Sequence, residues 1–125
     1  SEIGKTFPLY CTGLGKTLLA FSTNDTVSNL LESPLKAITE KTITDPEVFQ
    51  QELSLIRTRG YALDNEEITR GIMCVAAPVF GFNRALVCAI SITFPAYIND
   101  DRGIEPEIAA VKKYAALISG SLGRG

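Results

Sequence analysis

The chain has no histidine and no tryptophan, one methionine and only three cysteines among 125 residues. Without an imidazole, neither Ser-His-Asp nor Cys-His nucleophilic catalysis can be assembled, and most zinc sites are excluded. Only carboxylates remain for acid-base work. Cys11, Cys74 and Cys88 lack metal-type spacing, and unpaired thiols fit a reducing cytoplasm. No apolar run approaches the ~20 residues of a membrane span, and no signal-peptide pattern opens the sequence. Excess charge is also missing: a formal net charge of −2 gives little grip on phosphate backbones. The balance of 46% hydrophobic and 21% charged residues is that of an ordinary globular chain. Its length suits one domain with a real core, and neither a metal nor a cofactor is expected.

What is present is organised around Gly60 to Phe94. A short strand, Tyr61 to Asp64, leads through an acidic loop into two longer apolar runs, 72–80 and 85–94, flanking the turn Gly81-Phe82-Asn83-Arg84. Glycine and asparagine suit a tight hairpin connection. A turn closing symmetrically on Phe82-Asn83 would set Phe80 opposite Ala85, Cys74 opposite Ser91 and Ile72 opposite Thr93. Side chains alternate across a strand, and directly paired residues share a face. One face then carries Met73, Val75, Ala77 and Val79 with Leu86, Cys88, Ile90, Ile92 and Phe94, an apolar surface for helices to cover. The other carries Ile72, Cys74, Ala76, Ala89, Ser91 and Thr93, smaller and partly polar. Cys74 and Cys88 fall on opposite faces and should not pair. Ser91 and Thr93, about 6–7 Å apart by strand geometry, need partners if buried and are close enough to hold one small polar molecule.

Helices flank this sheet. Residues 12–21 read as a turn entering a short helix, and Thr23-Asn24-Asp25 caps another that stops before Pro34. Thr44-Asp45-Pro46-Glu47 opens a longer helix through Phe49, Leu53 and Ile56, with Gly60 as its stop. The tail from Ile104 carries Ile108, Val111, Ala115, Ile118 and Leu122 on one stripe, predicting a long amphipathic helix on the sheet. There are no repeats and no linker. The expected fold class is α+β, an antiparallel sheet with helices packed on one face and a long C-terminal helix.

Three features carry chemistry. Gly15-Lys16-Thr17 has the ending of a phosphate-binding loop, but Tyr10 stands where the pattern needs glycine, so a helix start is the better reading. Free N–H groups at Gly13, Leu14 and Gly15 offer a third reading, a small anion held at the helix dipole. Asp64-Asn65-Glu66-Glu67 is ordinarily a solvated loop, with Asp64 best placed to point inward. Cys74 is more often a core thiol than a ligand contact.

Four stretches carry a family resemblance: Phe7-Pro8-Leu9-Tyr10-Cys11-Thr12-Gly13-Leu14-Gly15-Lys16-Thr17-Leu18-Leu19-Ala20; Arg59-Gly60-Tyr61-Ala62-Leu63-Asp64-Asn65-Glu66-Glu67; Gly71-Ile72-Met73-Cys74-Val75-Ala76-Ala77-Pro78-Val79-Phe80; and Ala89-Ile90-Ser91-Ile92-Thr93. In these residues, their order and their spacing, the chain resembles the C-terminal effector-binding domain of the IclR family of bacterial transcriptional regulators. The resemblance implies a GAF-like domain that binds a small organic acid, often a carboxylate or sugar-derived acid. It also implies a homo-oligomer, dimer or tetramer, working in the cytoplasm without contact with a membrane. DNA would be held by a separate N-terminal winged helix-turn-helix domain. The family's ligand positions map onto Gly13, Leu14, Asp64, Cys74, Ser91 and Thr93, the last three being the trio that the hairpin sets on one face. Residues 1–125 then form a single, partial effector domain, without the winged helix and without some N-terminal strands and a helix. Leu14 stands where a smaller residue is common, and Asn65 replaces a common second aspartate.

The leading expectation is therefore a metabolite-sensing module. A structural oligomerisation domain with a vestigial pocket competes with it, and Leu14 favours that alternative. An enzyme using Asp64 or Glu67 as base and Cys74 as nucleophile is weakest, for want of a group to activate the thiol. With a slightly acidic charge and no recognition helix, the chain alone should show no specific operator binding. Sequence-selective, sub-micromolar retention of an operator fragment in a gel-shift assay at physiological salt would contradict this.

Overall fold

The computed structural model of the chain describes residues 9–123; Phe7 and Pro8, which open the first matching stretch, lie outside them. Each helix in the first half starts at a side-chain cap. Thr12 accepts the Gly15 N–H and opens α1, Gly13–Ala20. Thr23 does the same for α2, Asn24–Leu31. Asp45 caps α3, Pro46–Arg59, by accepting from the Glu47 N–H, with Pro46 in the first turn. Such caps satisfy N–H groups that the helix leaves without partners. At its other end, α3 stops on Gly60 in the left-handed conformation, φ 87°, as the sequence predicts.

Three antiparallel strands follow in the order β1-β2-β3: β1 Ala62–Asn65, β2 Ile72–Phe80 and β3 Leu86–Pro95. A short helix absent from the sequence reading, α4 at Tyr97–Arg102, and the long α5, Glu105–Gly123, complete the chain. The fold is α+β with a long C-terminal helix, as expected. One expectation is corrected: the described helices cover both faces of the sheet. Val111 and Ala115 of α5 bury Met73, Val75, Ala77 and Val79 on one face. Leu19 and Ala20 of α1 with Phe49, Leu53 and Ile56 of α3 form a second core that includes Ala62 and Ala76 of the other face. The α3 trio recurs at helical spacing and is almost fully buried, and each such side chain contributes about 1.5–3 kcal/mol. Of the stripe predicted on α5, Ile118 and Leu122 remain exposed.

The hairpin register is also corrected, by two residues. Cys74 pairs with Thr93, Ala76 with Ser91 and Ile72 with Pro95. Two one-residue changes add up to this shift. The connection runs from Gly81 to Ala85, closed by the Gly81 N–H donating to the Ala85 carbonyl (2.8 Å), with Asn83 and Arg84 both at positive φ. Val87 is then an extra residue, because Val79 pairs with Cys88 and Phe80 with Leu86. One step alone would turn every side chain of β3 over; two restore the parity. The face assignments from 88 to 94 therefore stand, whereas Leu86, expected among the apolar set, sits opposite Phe80.

A buried ion pair ties the two halves together. Lys16 on α1 is 0% exposed, and its Nζ donates to Glu67 Oε2 at 2.7 Å and to the Leu63 carbonyl at 2.8 Å. Glu52 of α3 lies 3.8 Å from the same nitrogen and is itself paired with Arg59 at 3.0 Å. This excludes the phosphate-loop reading of Gly15-Lys16-Thr17, because the lysine faces inward and is already occupied. Removing one partner of a buried pair costs about 3–5 kcal/mol, whereas replacing both by apolar groups is often close to neutral. Lys16→Met should lower stability by about that amount in urea titration, and adding Glu67→Leu should return a good part of it. A double variant as unstable as the single one would show that the pair does not hold α1 in place.

Candidate functional site

On the face shared with α1 the three strands bring their polar residues into line. Asp64 of β1 pairs with Cys74 of β2, and Cys74 pairs with Thr93 of β3, so one row crosses the sheet. The next row is Ala62, Ala76 and Ser91. Directly paired side chains stand about 4.5–5.5 Å apart at Cβ, so each row is a continuous strip. The α1 N-terminus docks on this strip because its first residue is glycine. A Cβ on Gly13 would lie 3.1 Å from Cys74 Sγ and 3.3 Å from the Ala76 Cβ. Gly15 is fixed by a stricter clash, since a Cβ there would lie 2.2 Å from the Leu9 carbonyl oxygen.

Between the helix start, the strip and the acidic loop lies an open cavity of about 240 Å³, lined by Thr12, Gly13, Leu14, Asp64, Ile68, Thr69, Ile72, Cys74, Ser91 and Thr93. All six residues predicted for the site, Gly13, Leu14, Asp64, Cys74, Ser91 and Thr93, meet here. Four lining residues were not predicted for it. Thr12 was legible as the helix cap and Ile72 by its two-residue spacing from Cys74, whereas Ile68 and Thr69 lie in a loop with no periodic signal.

The electrostatics are those of a cation-free wall. Burial pushes the Asp64 carboxyl up to about 6, helped by the neighbouring Glu67 carboxylate, against the Glu67 N–H bond that Asp64 Oδ1 accepts (2.8 Å) and the nearby Lys16. Burial also raises the Cys74 thiol, opposed by contacts from the Ser91 and Thr93 hydroxyls and the Gly13 N–H. A raised thiol is a poor nucleophile. Glu67, read as part of a solvated loop, is 3% exposed and bound to Lys16, so the base for an enzymatic reading is already in use. The helix-start anion site is narrower than expected, because Thr12 Oγ1 occupies the Gly15 N–H at 2.8 Å. Gly13 and Leu14 line the cavity, with the Gly13 N–H also touching the Cys74 thiol.

Known proteins match the chain along nearly its whole length. The family described as bacterial transcriptional regulator IclR C-terminal matches residues 1–120. The HTH-type transcriptional regulator KdgR of Escherichia coli is 37% identical over 124 residues, covering 98% of this chain and 47% of that protein. The glycerol operon regulatory protein of Streptomyces coelicolor is 41% identical over 128 residues, covering 99% and 49%. Among solved structures, the C-terminal domain of E. coli KdgR superposes with a TM-score of 0.81 at 37% identity, covering 93% of this chain and 71% of that one. The Thermotoga maritima IclR gives 0.81 at 42%, covering 92% and 47%. The chain spans about half the length of the curated relatives it matches. It is a member of the IclR family of bacterial transcriptional regulators, a non-enzymatic family, and corresponds to their C-terminal regulatory domain.

Proposed function

We propose that this domain senses a small organic acid, a simple carboxylate or a sugar-derived acid, bound in the cavity between the α1 start and the sheet. Occupancy would alter how a winged helix-turn-helix domain elsewhere in a homo-oligomeric, cytoplasmic regulator holds its operator. The observation that carries the reading is the convergence of six residues, from α1, β1, β2 and β3, on one concave site. Such a site, mostly apolar with a few convergent polar groups, is the usual form of a small-molecule pocket. In this reading the Gly13 and Leu14 N–H groups receive the carboxylate, Ser91 and Thr93 bond its hydroxyl or keto oxygens, and Leu14 limits its size. The S. coelicolor relative is named for regulating a glycerol operon.

A second reading rests on a specific surface. Tyr114, Leu117, Ile118 and Leu122 of α5 are exposed at helical spacing, a stripe suited to association between protomers. A purely structural oligomerisation domain with a vestigial pocket would need nothing more, and Leu14, 41% exposed at the cavity mouth, would then simply obstruct it. Thermal shift across a panel of small hydroxy, keto and sugar acids separates the two readings, because a ligand bound only by the native state raises its melting temperature.

For the acid that shifts melting most, Ser91→Ala with Thr93→Val should weaken binding roughly tenfold to a hundredfold by calorimetry, the effect of about 1–3 kcal/mol of lost hydrogen bonding. Stability without ligand should stay within about 1 kcal/mol. Unchanged affinity together with a large loss of stability would make the two hydroxyls structural.

A further inference from the structure

Asp64 lines the same cavity that would take a bound acid, and no lysine or arginine lines it. The cation nearest in kind, Lys16, is committed elsewhere: its Nζ bonds Glu67 Oε2 and the Leu63 carbonyl, with Glu52 at 3.8 Å. The groups around Asp64 can be taken element by element. The residues before α1 contribute the Cys11 thiol, which burial together with Asp64 and Glu67 pushes up to about 11. From α1 comes Lys16, from the loop Glu67, and from β2 the directly paired Cys74. Glu67 adds a further mark of unbalanced charge, because its Oε1 is buried without a hydrogen-bond partner among the described residues. Three carboxylates, Asp64, Glu67 and Glu52, thus face two cations, Lys16 and Arg59, and the cluster keeps one negative charge when all are ionised. A carboxylate ligand would bring a second negative charge into a half-enclosed site lined by no cationic side chain, with only the partial positive charge of the α1 start to offset it. Repulsion in such surroundings is far stronger than in water.

We propose that the cavity takes an organic anion preferentially together with one proton, which Asp64 receives from solvent, so that the neutral acid group donates a hydrogen bond to the bound carboxylate. The inference rests on the effector reading above. Where Asp64 is ionised in the free site, one O–H bond forms on it for each anion that enters, and the site gains no net charge. The alternative of two carboxylates held apart by water would leave both ionised and binding indifferent to pH.

Linkage fixes the direction. If the anion favours protonated Asp64, protonation favours the anion by the same factor. Free Asp64 titrates near 6, and the bound anion moves it higher. Affinity for the anion is then fullest below about 6. It falls by up to about tenfold per pH unit as pH rises from there to the bound-state value, and flattens beyond it.

The test uses glycolate as the minimal hydroxy acid and glycolamide as its neutral counterpart, with the whole chain labelled with ¹³C at the aspartate carboxyls and ¹⁵N at the backbone amides. The Asp64 resonance, identified by its loss in Asp64→Asn, is titrated from pH 4 to 9 with and without each probe. Glycolate should raise the Asp64 midpoint by one unit or more and glycolamide should leave it in place. In addition, Asp64→Asn should bind glycolate with an affinity that no longer depends on pH. Glycolate that perturbs Gly13, Ser91 and Thr93 while the Asp64 midpoint stays or falls would overturn proton uptake and leave the effector site standing. Absence of any perturbation of those residues by either probe, across the whole pH range, would remove both the site and this inference.

Discussion

The buried contact between Lys16 and Glu67 is the constraint on which the rest of the molecule leans. A fully enclosed ammonium is tolerated only when its charge and its donors are met, and the partners that meet them lie on segments far apart in sequence. Leu63 ends the approach to the acidic loop, Glu67 sits within that loop, and Glu52 projects from α3. Satisfying one side chain therefore fixes α1, β1, α3 and the loop relative to one another. The loop is held from its outer side as well, since Thr39 Oγ1 donates to the Glu66 carbonyl and Thr42 Oγ1 to the Glu67 carbonyl, each at 2.7 Å. Asp64 is positioned by default, being the last inward residue before a loop held from both sides.

From that constraint the cavity follows. With α1 pinned at Lys16, its first turn is pressed onto the sheet, and only glycine at position 13 allows the approach to Cys74 and Ala76. The helix start then forms one wall, the polar rows of the sheet the floor and the clamped loop the opposite wall. The opposite face of the sheet plays no part in the site. It is filled by apolar side chains beneath α5, so chemistry and hydrophobic support are divided between the two sides of a single three-stranded sheet.

Much of this was legible because local rules dominate where elements begin and alternate. Thr12, Thr23 and Asp45 mark helix starts by side-chain capping, Gly60 marks a stop, and the two-residue alternation of β2 and β3 sorts Cys74, Ser91 and Thr93 from Val75, Ile90 and Ile92. What stayed hidden depended on contacts distant in sequence. Nothing local distinguishes Glu67 from a solvated acid, because its partner is Lys16, fifty-one positions away. The covering of both sheet faces was missed for the same reason: the small residues Ala62 and Ala76 betray no preference for a helical neighbour. The hairpin register failed on backbone detail, since Arg84 at positive φ is not a residue that announces a left-handed turn.

The connection between β2 and β3 limits which changes of length the sheet can absorb. It holds one residue more than a symmetric four-residue turn, and β3 holds one extra at Val87. Each insertion alone would have carried Ser91 and Thr93 to the side of the sheet facing α5 and put Ile92 into the cavity. Only the pair keeps both hydroxyls on the cavity side. A change of a single residue in this hairpin would therefore turn the β3 hydroxyls away from the cavity unless a second change within the same few positions restored the parity.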